Sequence, residues 1–230
     1  MAETGSPRDA AQVGVVAPRC VVFDVDSTLV GIEGIDWMAA RRSPAVAERI
    51  AALTDAAMAG ALTLEEVYGP RLAAVAPTLA EIGELGHAYV AAIAPGALRC
   101  VSALREAGCR SVIVSGGLRP ALLPLADALG IPPADVHGVG ISFSAAGAYL
   151  DFDRASPLAR QFGKATLVAG LSLPRPLVAV GDGSTDLVIR TAGAADRFIA
   201  FTGFTARDTV VRGADHIVTS FDALTALLLP

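Results

Sequence analysis

The chain has 230 residues, of which 53% are hydrophobic, 18% charged and 5% aromatic, and its mean hydropathy is +0.54. So much apolar surface can bury a substantial core, which excludes a disordered chain, while the apolar residues are too dispersed for a membrane-spanning helix. The net charge of −5, from 23 acidic and 18 basic residues, offers no electrostatic attraction for nucleic acid or an anionic membrane.

The N-terminal segment and the cysteines indicate the compartment. Residues 1–17 begin with polar side chains and lack the basic and apolar segments of a signal peptide, so we expect a loose tail there. Cys20, Cys100 and Cys109 form an odd, widely spaced set, which favours reduced, buried thiols over disulfides or a zinc site. Together these features predict a soluble, cytoplasmic protein.

The first predicted elements are one strand and a set of helices. Residues 19–25 form a short apolar, β-branched run, which is typical of a buried parallel strand. From Ser43 to about residue 93 the sequence is almost wholly helical, and Ser43 with Pro44 marks the first helix start. Two further helix starts are indicated by capping boxes, Thr63 with Glu66 and Thr78 with Glu81.

Beyond Pro95 strands and helices alternate, which predicts a parallel sheet covered on both faces. The strand candidates are residues 111–115, 177–181, 198–201 and 216–218, and the intervening helices begin near Pro120, Gly163, Ser184, Thr205 and Phe221. Residues 138–152 instead predict a small β-hairpin. The predicted architecture is an α/β core, a Rossmann-like parallel sheet flanked by helices, over residues 18–33 and 95–230, with a helical cap inserted over residues 34–94.

Three of the predicted strands end in polar groups. The first ends in Asp24 and Asp26, the second in Ser115 and Gly116, and the third in Asp182 and Asp186. Because ligands of open parallel sheets bind beyond the carboxyl ends of the strands, we expect these groups to meet. The four carboxylates would repel one another without a cation, and ligands that are all oxygen favour Mg²⁺.

These residue types in this order can perform phosphoryl transfer. Ser115, the glycine N–H groups after it and Lys164 offer donors to a phosphoryl group. One carboxylate can attack phosphorus, and a second carboxyl two residues further on can protonate the leaving oxygen and then deprotonate water. Taken singly, each residue is more simply a turn former, a helix cap or a solvated charge. Their combination at strand ends favours the catalytic interpretation.

The same motifs resemble those of a known family. The segments FDVDST at 23–28, EGID at 33–36, AMAGA at 57–61, SGGLR at 115–119 and GDGSTDL at 181–187 are similar to those of the phosphoserine phosphatases, a family of the haloacid dehalogenase (HAD) superfamily of aspartate-nucleophile phosphohydrolases. The resemblance covers about residues 19–222. It implies a HAD-type fold with a helical-bundle cap, and hydrolysis of a phosphate ester through an aspartyl-phosphate.

The resemblance also implies a role for each residue of the site. Asp24 would be the nucleophile and Asp26 the general acid and base. A Mg²⁺ ion would be held by the side chains of Asp24 and Asp182 and the backbone carbonyl of Asp26, with Asp186 supporting it from nearby, and the phosphate would be held by Ser115, Gly116 and Lys164. Glu33 would bind the ammonium group of an amino acid and Arg71 its carboxylate, with Met58 lining the pocket.

The expected function is Mg²⁺-dependent hydrolysis of O-phospho-L-serine, as in serine biosynthesis. The expected partner is a small phosphorylated amino acid, with no nucleic acid or membrane, and the expected state is a monomer or homodimer. Departures from the family pattern at Ile32, Ala59 and Phe204 leave the substrate preference open. The alternatives are hydrolysis of another small phosphomonoester, transfer of the phosphoryl group to an alcohol such as homoserine, and, more remotely, a phosphate-binding module without catalysis.

Overall fold

The computed structural model describes residues 17–58 and 62–229, except for the side chains of residues 55–58. The predicted loose tail lies outside these residues apart from Ala17. The strands of the described chain are β1 (Cys20–Phe23), β2 (Arg110–Leu118), β3 (Val136–Val139), β4 (Ile141–Phe143), β5 (Tyr149–Phe152), β6 (Leu177–Gly181), β7 (Arg197–Phe201) and β8 (His216–Val218).

Six of these strands form one parallel sheet in the order β3-β2-β1-β6-β7-β8. Strand β1 lies near its centre, pairing with β2 on one side and with β6 on the other. Every residue of β1 and β6 is buried, as expected for strands that are apolar on both faces. Strands β4 and β5 form a separate antiparallel hairpin. The predicted parallel sheet and small hairpin are therefore confirmed.

Helices follow the strands and form the segment inserted after β1. They are α1 (Gly34–Ala39), α2 (Pro44–Met58), α3 (Leu64–Val75), α4 (Leu79–Ala91), α5 (Ala97–Glu106), α6 (Arg119–Leu129), α7 (Gly163–Gly170), α8 (Ser184–Thr191), α9 (Asp208–Gly213) and α10 (Phe221–Leu228). Both predicted capping boxes are present, at the starts of α3 and α4. Among the described residues, we find no helix with the length and apolar character needed to cross a membrane.

Helices α1 to α4 leave the sheet after β1 and return to it before α5, and the two connecting segments pair with each other. Gly31 N–H donates to the Ala92 carbonyl (3.0 Å), and Ala94 N–H donates to the Leu29 carbonyl (2.9 Å). The last of these helices, α4, packs against α6 of the core. A side chain at Gly86 would collide with Pro124 there, so the two helices approach closely.

The structure corrects the start of the predicted hairpin. The hairpin begins at Ile141, whereas residues 136–139 form β3, a strand at the edge of the main sheet that pairs with β2. The sequence hides this strand because Gly138 interrupts its apolar run. A side chain at Gly138 would collide with the backbone at Arg119 and with Leu122, so glycine is required where α6 crosses the strand.

Candidate active site

The loop after β1 turns back sharply. The backbone N–H of Asp24 donates to the Val180 carbonyl of β6 (3.0 Å), so Asp24 continues the pairing of β1 with β6 beyond the end of β1. Ser27 adopts a left-handed backbone conformation (φ 52°), which is uncommon outside glycine. Its hydroxyl donates to Oε1 of Glu33 (2.6 Å). The turn places Asp24, Asp26 and Glu33 in the wall of one cavity.

Lys164, the only lysine in the sequence, is buried between two carboxylates near the start of α7. Its Nζ lies 2.7 Å from Oδ1 of Asp24 and 2.7 Å from Oδ1 of Asp186. Burial acts to lower the pKa of the Lys164 ammonium, but the two carboxylates raise this pKa by more than burial lowers it. Lys164 therefore stays charged. Asp186 also accepts a hydrogen bond from Gly183 N–H (3.0 Å), so both of its oxygens are occupied.

Three buried carboxylates form a cluster of oxygen atoms. Asp24, Asp182 and Asp186 each offer one oxygen, and these oxygens lie within 4.8 Å of one another. Thr28 donates to Oδ1 of Asp182 (3.3 Å). Oδ2 of Asp182 contacts the Arg207 guanidinium. The all-oxygen set of donor atoms fits a hard cation such as Mg²⁺.

Asp26 has one occupied and one free oxygen. Its Oδ2 accepts a hydrogen bond from Gly34 N–H (3.0 Å), whereas Oδ1 has no partner. Burial inside the cavity raises the pKa of the Asp26 carboxyl to about 8, and the nearby Glu33 and Asp24 act in the same direction. Burial also raises the pKa of Glu33, against the hydrogen bond from Ser27. Asp26 can therefore carry a proton at neutral pH.

The end of β2 lines the same cavity as Lys164. The pairing of β2 with β3 shifts register between Val114 and Leu118, so the intervening segment departs from regular pairing. Within it, Gly117 N–H donates to the buried Ser115 hydroxyl (3.0 Å). The Gly116 carbonyl accepts a hydrogen bond from the hydroxyl of Tyr68 on α3 (2.8 Å). This contact joins the inserted helices to the rim of the sheet.

Arg71, one turn after Tyr68 on α3, lines the first cavity together with Glu33. Its Nη2 donates to Oδ1 of Asp36 (3.1 Å), while its buried Nε has no partner among the described residues. The Arg71 side chain is 14% exposed, compared with 44% for Asp36. The guanidinium is therefore held by one contact and retains an unused donor.

The predicted site residues surround two adjoining cavities. The first, of about 160 Å³, is lined by Asp24, Asp26, Glu33, Arg71, Ser115, Gly116 and Lys164. The second, of about 490 Å³, shares Asp24, Asp26, Glu33 and Arg71 with the first and adds Asp182 and Arg207. Asp186 lines neither cavity and instead contacts Lys164. The side chain of Met58 lies outside the described part of the chain.

The sequence assigns no role to Thr28, Tyr68, Tyr89 and Arg207, which contact site residues or line the cavities. Tyr68 lies three positions before Arg71, a spacing that places both on one helix face, so this signal was available. Tyr89 also lines the first cavity, and Arg207 reaches Asp182 from the loop before α9. For Tyr89 and Arg207 the sequence carries no comparable pattern.

Comparison with known proteins places the chain among characterised relatives. The family model of the haloacid dehalogenase-like hydrolases matches residues 21–189. Over 209 residues the chain is 34% identical to the chloroplastic phosphoserine phosphatase of Arabidopsis thaliana, spanning 90% of this chain and 70% of that protein. Over 211 residues it is 32% identical to phosphoserine phosphatase of Bos taurus, spanning 90% and 92% of the two chains.

A solved structure has the same fold. A phosphoserine phosphohydrolase-like protein from Francisella tularensis matches with a TM-score of 0.81 and 26% identity, covering 92% of this chain and all of that one. The predicted HAD-type architecture is thus confirmed. On the family match and on the identity to relatives over most of their length, the chain belongs to the haloacid dehalogenase-like hydrolases and, within them, to the phosphoserine phosphatase family.

Proposed function

We propose that this protein hydrolyses O-phospho-L-serine to serine and phosphate, with Mg²⁺ as cofactor. The observation that carries the proposal is a single cavity. Asp24, Asp26 and Lys164 line it from the sheet, and Glu33 and Arg71 complete its wall. Phosphoryl-transfer groups and groups suited to an amino acid therefore face the same small space. The relatives named phosphoserine phosphatase support this choice of substrate.

The first chemical step forms a bond between an Asp24 carboxylate oxygen and phosphorus, while the bond from phosphorus to the seryl oxygen breaks. Asp26 donates its proton to that oxygen, and serine leaves. The pKa of Asp26, raised to about 8 by burial, favours the protonated form that this step needs. Lys164 offsets the negative charge of Asp24 and of the incoming phosphoryl group.

The second step returns the protein to its starting state. The Asp26 carboxylate accepts a proton from a water molecule, the water oxygen bonds to phosphorus, and the bond from phosphorus to Asp24 breaks. Phosphate is released and Asp26 again carries a proton. Ser115 and the Gly116 backbone, at the end of β2, would hold the phosphoryl oxygens through both steps.

The metal would be held by the side chains of Asp24 and Asp182 and by the backbone carbonyl of Asp26. The close oxygens of the buried carboxylates support this assignment. When bound, Mg²⁺ supplies positive charge that offsets the charge of the phosphoryl group and of these carboxylates. Asp186 would support the site through Lys164, with which it forms a close ion pair.

The charged groups of the serine portion would be bound by residues of opposite charge. Glu33 would accept hydrogen bonds from the ammonium group, and Arg71 would bind the carboxylate by exchanging its contact with Asp36 for the substrate. The unused Nε donor of Arg71 supports a ligand with two acceptor oxygens. Met58 would line the same pocket.

The remaining assignments belong to the same proposal. We assign a core to residues 18–33 and 95–230 and a cap to residues 34–94, with a cytoplasmic location and a monomeric or homodimeric state. Because α4 packs on α6, the assigned cap is anchored at one end. Limited proteolysis with and without ligand tests the boundaries, and cell fractionation and light scattering test location and assembly.

The direct experiment measures phosphate release from O-phospho-L-serine with Mg²⁺ and with EDTA. We expect release only with the metal, and a phosphorylated protein that can be trapped on Asp24. Adding homoserine or another alcohol separates hydrolysis from transfer, since transfer yields a new phosphate ester. Equal rates with EDTA, or a better substrate among unrelated phosphomonoesters, would contradict the proposal.

A further inference from the structure

Tyr89, on α4, has a polar group that the reaction described above does not use. Its side chain is fully buried and lines the first cavity, yet its hydroxyl makes no hydrogen bond of normal geometry. An unpaired buried hydroxyl is costly and therefore uncommon. Oδ1 of Asp26, in the same cavity, also lacks a partner. One cavity thus contains an unused donor and an unused acceptor.

Gly34 lies next to both Asp26 and the Tyr89 hydroxyl. Its N–H donates to Oδ2 of Asp26 (3.0 Å). A methyl group added at Gly34 would overlap the Tyr89 hydroxyl. Gly34 therefore binds one oxygen of Asp26 and, because it has no side chain, also leaves room for the Tyr89 hydroxyl. A methyl group at Gly117 would lie 3.5 Å from the same hydroxyl, which is therefore placed between the loops after β1 and β2.

The chemistry of the phenol group makes Tyr89 a donor. A phenol has an ordinary pKa of about 10 and therefore carries its proton at neutral pH. Because α4 is packed against α6 of the core, Tyr89 holds this position without a movement of the other inserted helices.

Building on the proposed function, we propose that Tyr89 is a positioning residue for Asp26. Its hydroxyl donates a hydrogen bond to Oδ1 while the Gly34 N–H holds Oδ2, and the two contacts orient the carboxyl toward the seryl oxygen and then toward water. Each carboxyl oxygen has a second lone pair, so a site for proton exchange remains. Tyr89 itself transfers no proton. The contact tightens when substrate fills the cavity, as is common in catalytic sites.

The test compares two substrates that differ in their need for an acid. The seryl oxygen of phosphoserine requires protonation as it leaves, whereas acetyl phosphate releases acetate, which leaves without a proton. For Tyr89→Phe we expect kcat/KM for phosphoserine to fall about 10-fold to 100-fold, the effect of leaving one buried oxygen of Asp26 without its hydrogen bond. The kcat/KM for acetyl phosphate should change by no more than about twofold, because that step does not use the acid.

Two further variants separate positioning from a general effect on the fold. Tyr68→Phe removes the hydroxyl of another tyrosine in the same cavity, one that contacts Gly116 rather than Asp26, and should change both substrates by the same factor. Gly34→Ala should displace the Tyr89 hydroxyl and give the same selective loss. The double variant Gly34→Ala/Tyr89→Phe should be no worse than Gly34→Ala, because both changes remove one contact. Thermal unfolding of each variant reports on folding.

The outcomes are distinct. A selective loss with phosphoserine, shared by Tyr89→Phe and Gly34→Ala, supports the inference. An equal loss with both substrates, or no loss, overturns it, as does full additivity in the double variant. If the wild-type protein hydrolyses neither substrate, the proposed function is wrong, and that result is visible before any Tyr89 variant is made.

Discussion

On the sheet side of the cavity Lys164 is enclosed by carboxylates, whereas Arg71, on the inserted helices, has a donor to spare. Lys164 is buried between Asp24 and Asp186, with both distances at 2.7 Å. Arg71 makes one contact among the described residues, to an Asp36 that is 44% exposed, and leaves its Nε unused. The two cations therefore differ in how far their donors are already satisfied.

This difference fits two separate tasks. Phosphoryl transfer needs groups that are fixed before the reaction, because reorganising charges during the step is costly. Recognition of one particular amino acid needs groups that gain new partners when the ligand binds. Lys164 with its carboxylates supplies the first kind and Arg71 the second. Changes around Lys164 should therefore affect every substrate, and a change at Arg71 only the substrates that carry the recognised carboxylate.

The largest expected effect comes from the sheet side, at Asp24. Asp24→Asn removes the attacking carboxylate, and we expect turnover of every substrate to fall about 10⁴-fold or more, as for other catalytic nucleophiles. Phosphate release and the mass of the trapped phosphorylated protein measure the loss. Circular dichroism controls for folding. Retained turnover in this variant would show that the nucleophile lies elsewhere.

The next effect concerns the buried ion pairs around Lys164. Lys164→Met leaves Asp24 and Asp186 without their cation, so we expect a loss of about 3–5 kcal/mol in the free energy of unfolding. Urea titration in EDTA measures this loss. Arg99→Met is the matched control, because it breaks a pair with Asp222 in which the two side chains are 75% and 73% exposed and should cost at most about 1 kcal/mol. Equal losses would contradict the contrast.

Arg71 tests the helical side. Arg71→Ala should raise KM for phosphoserine about 10-fold to 100-fold, because a charge-assisted contact to the substrate carboxylate is lost. Phosphoethanolamine lacks that carboxylate, so its KM should be the same in both proteins. Steady-state kinetics with the two esters measure the difference. A matching loss with phosphoethanolamine would mean that Arg71 acts on the phosphoryl group or on the fold.

The smallest effect lies in the helices away from the cavity. Arg42 forms a two-pronged pair with Glu81, and this hydrogen bonding lowers the pKa of Glu81 from about 4.5 to about 2. A carboxyl whose pKa is lowered by folding stabilises the fold above its ordinary pKa. That stability is lost as the pH falls through about 2. Because Glu81 is partly exposed, the contribution should be about 1 kcal/mol.

The variant Glu81→Gln should remove this pH dependence between about 4.5 and about 2, measured by urea unfolding across that range. Glu66→Gln is the control, since Glu66 forms the same kind of capping box at α3 and no ion pair of Glu66 is found among the described residues. A pH response in the Glu66 variant equal to that of the Glu81 variant would mean that capping alone, and not Arg42, sets the effect.

The sequence predicted best those elements that have a regular apolar pattern. Residues 177–181 and 216–218 are strands with the predicted bounds, because apolar β-branched runs between turns have few other uses. Asp24 and Ser115 could be expected to share a cavity, because parallel strands bring their carboxyl ends to one edge whatever the length of chain between them. Strand β3 was missed because a glycine needed for packing broke its pattern.

The sequence by itself determined the parallel sheet, the inserted helices and the residue types that gather at the strand ends, since these follow from local periodicity and from the geometry of parallel pairing. Only the tertiary structure decided how those residues are paired. It pairs Asp186 with Lys164 and Tyr68 with Gly116, and it places the Tyr89 hydroxyl next to Gly34. Such contacts join positions far apart in the chain, and their distances depend on how helices pack, which no local pattern records.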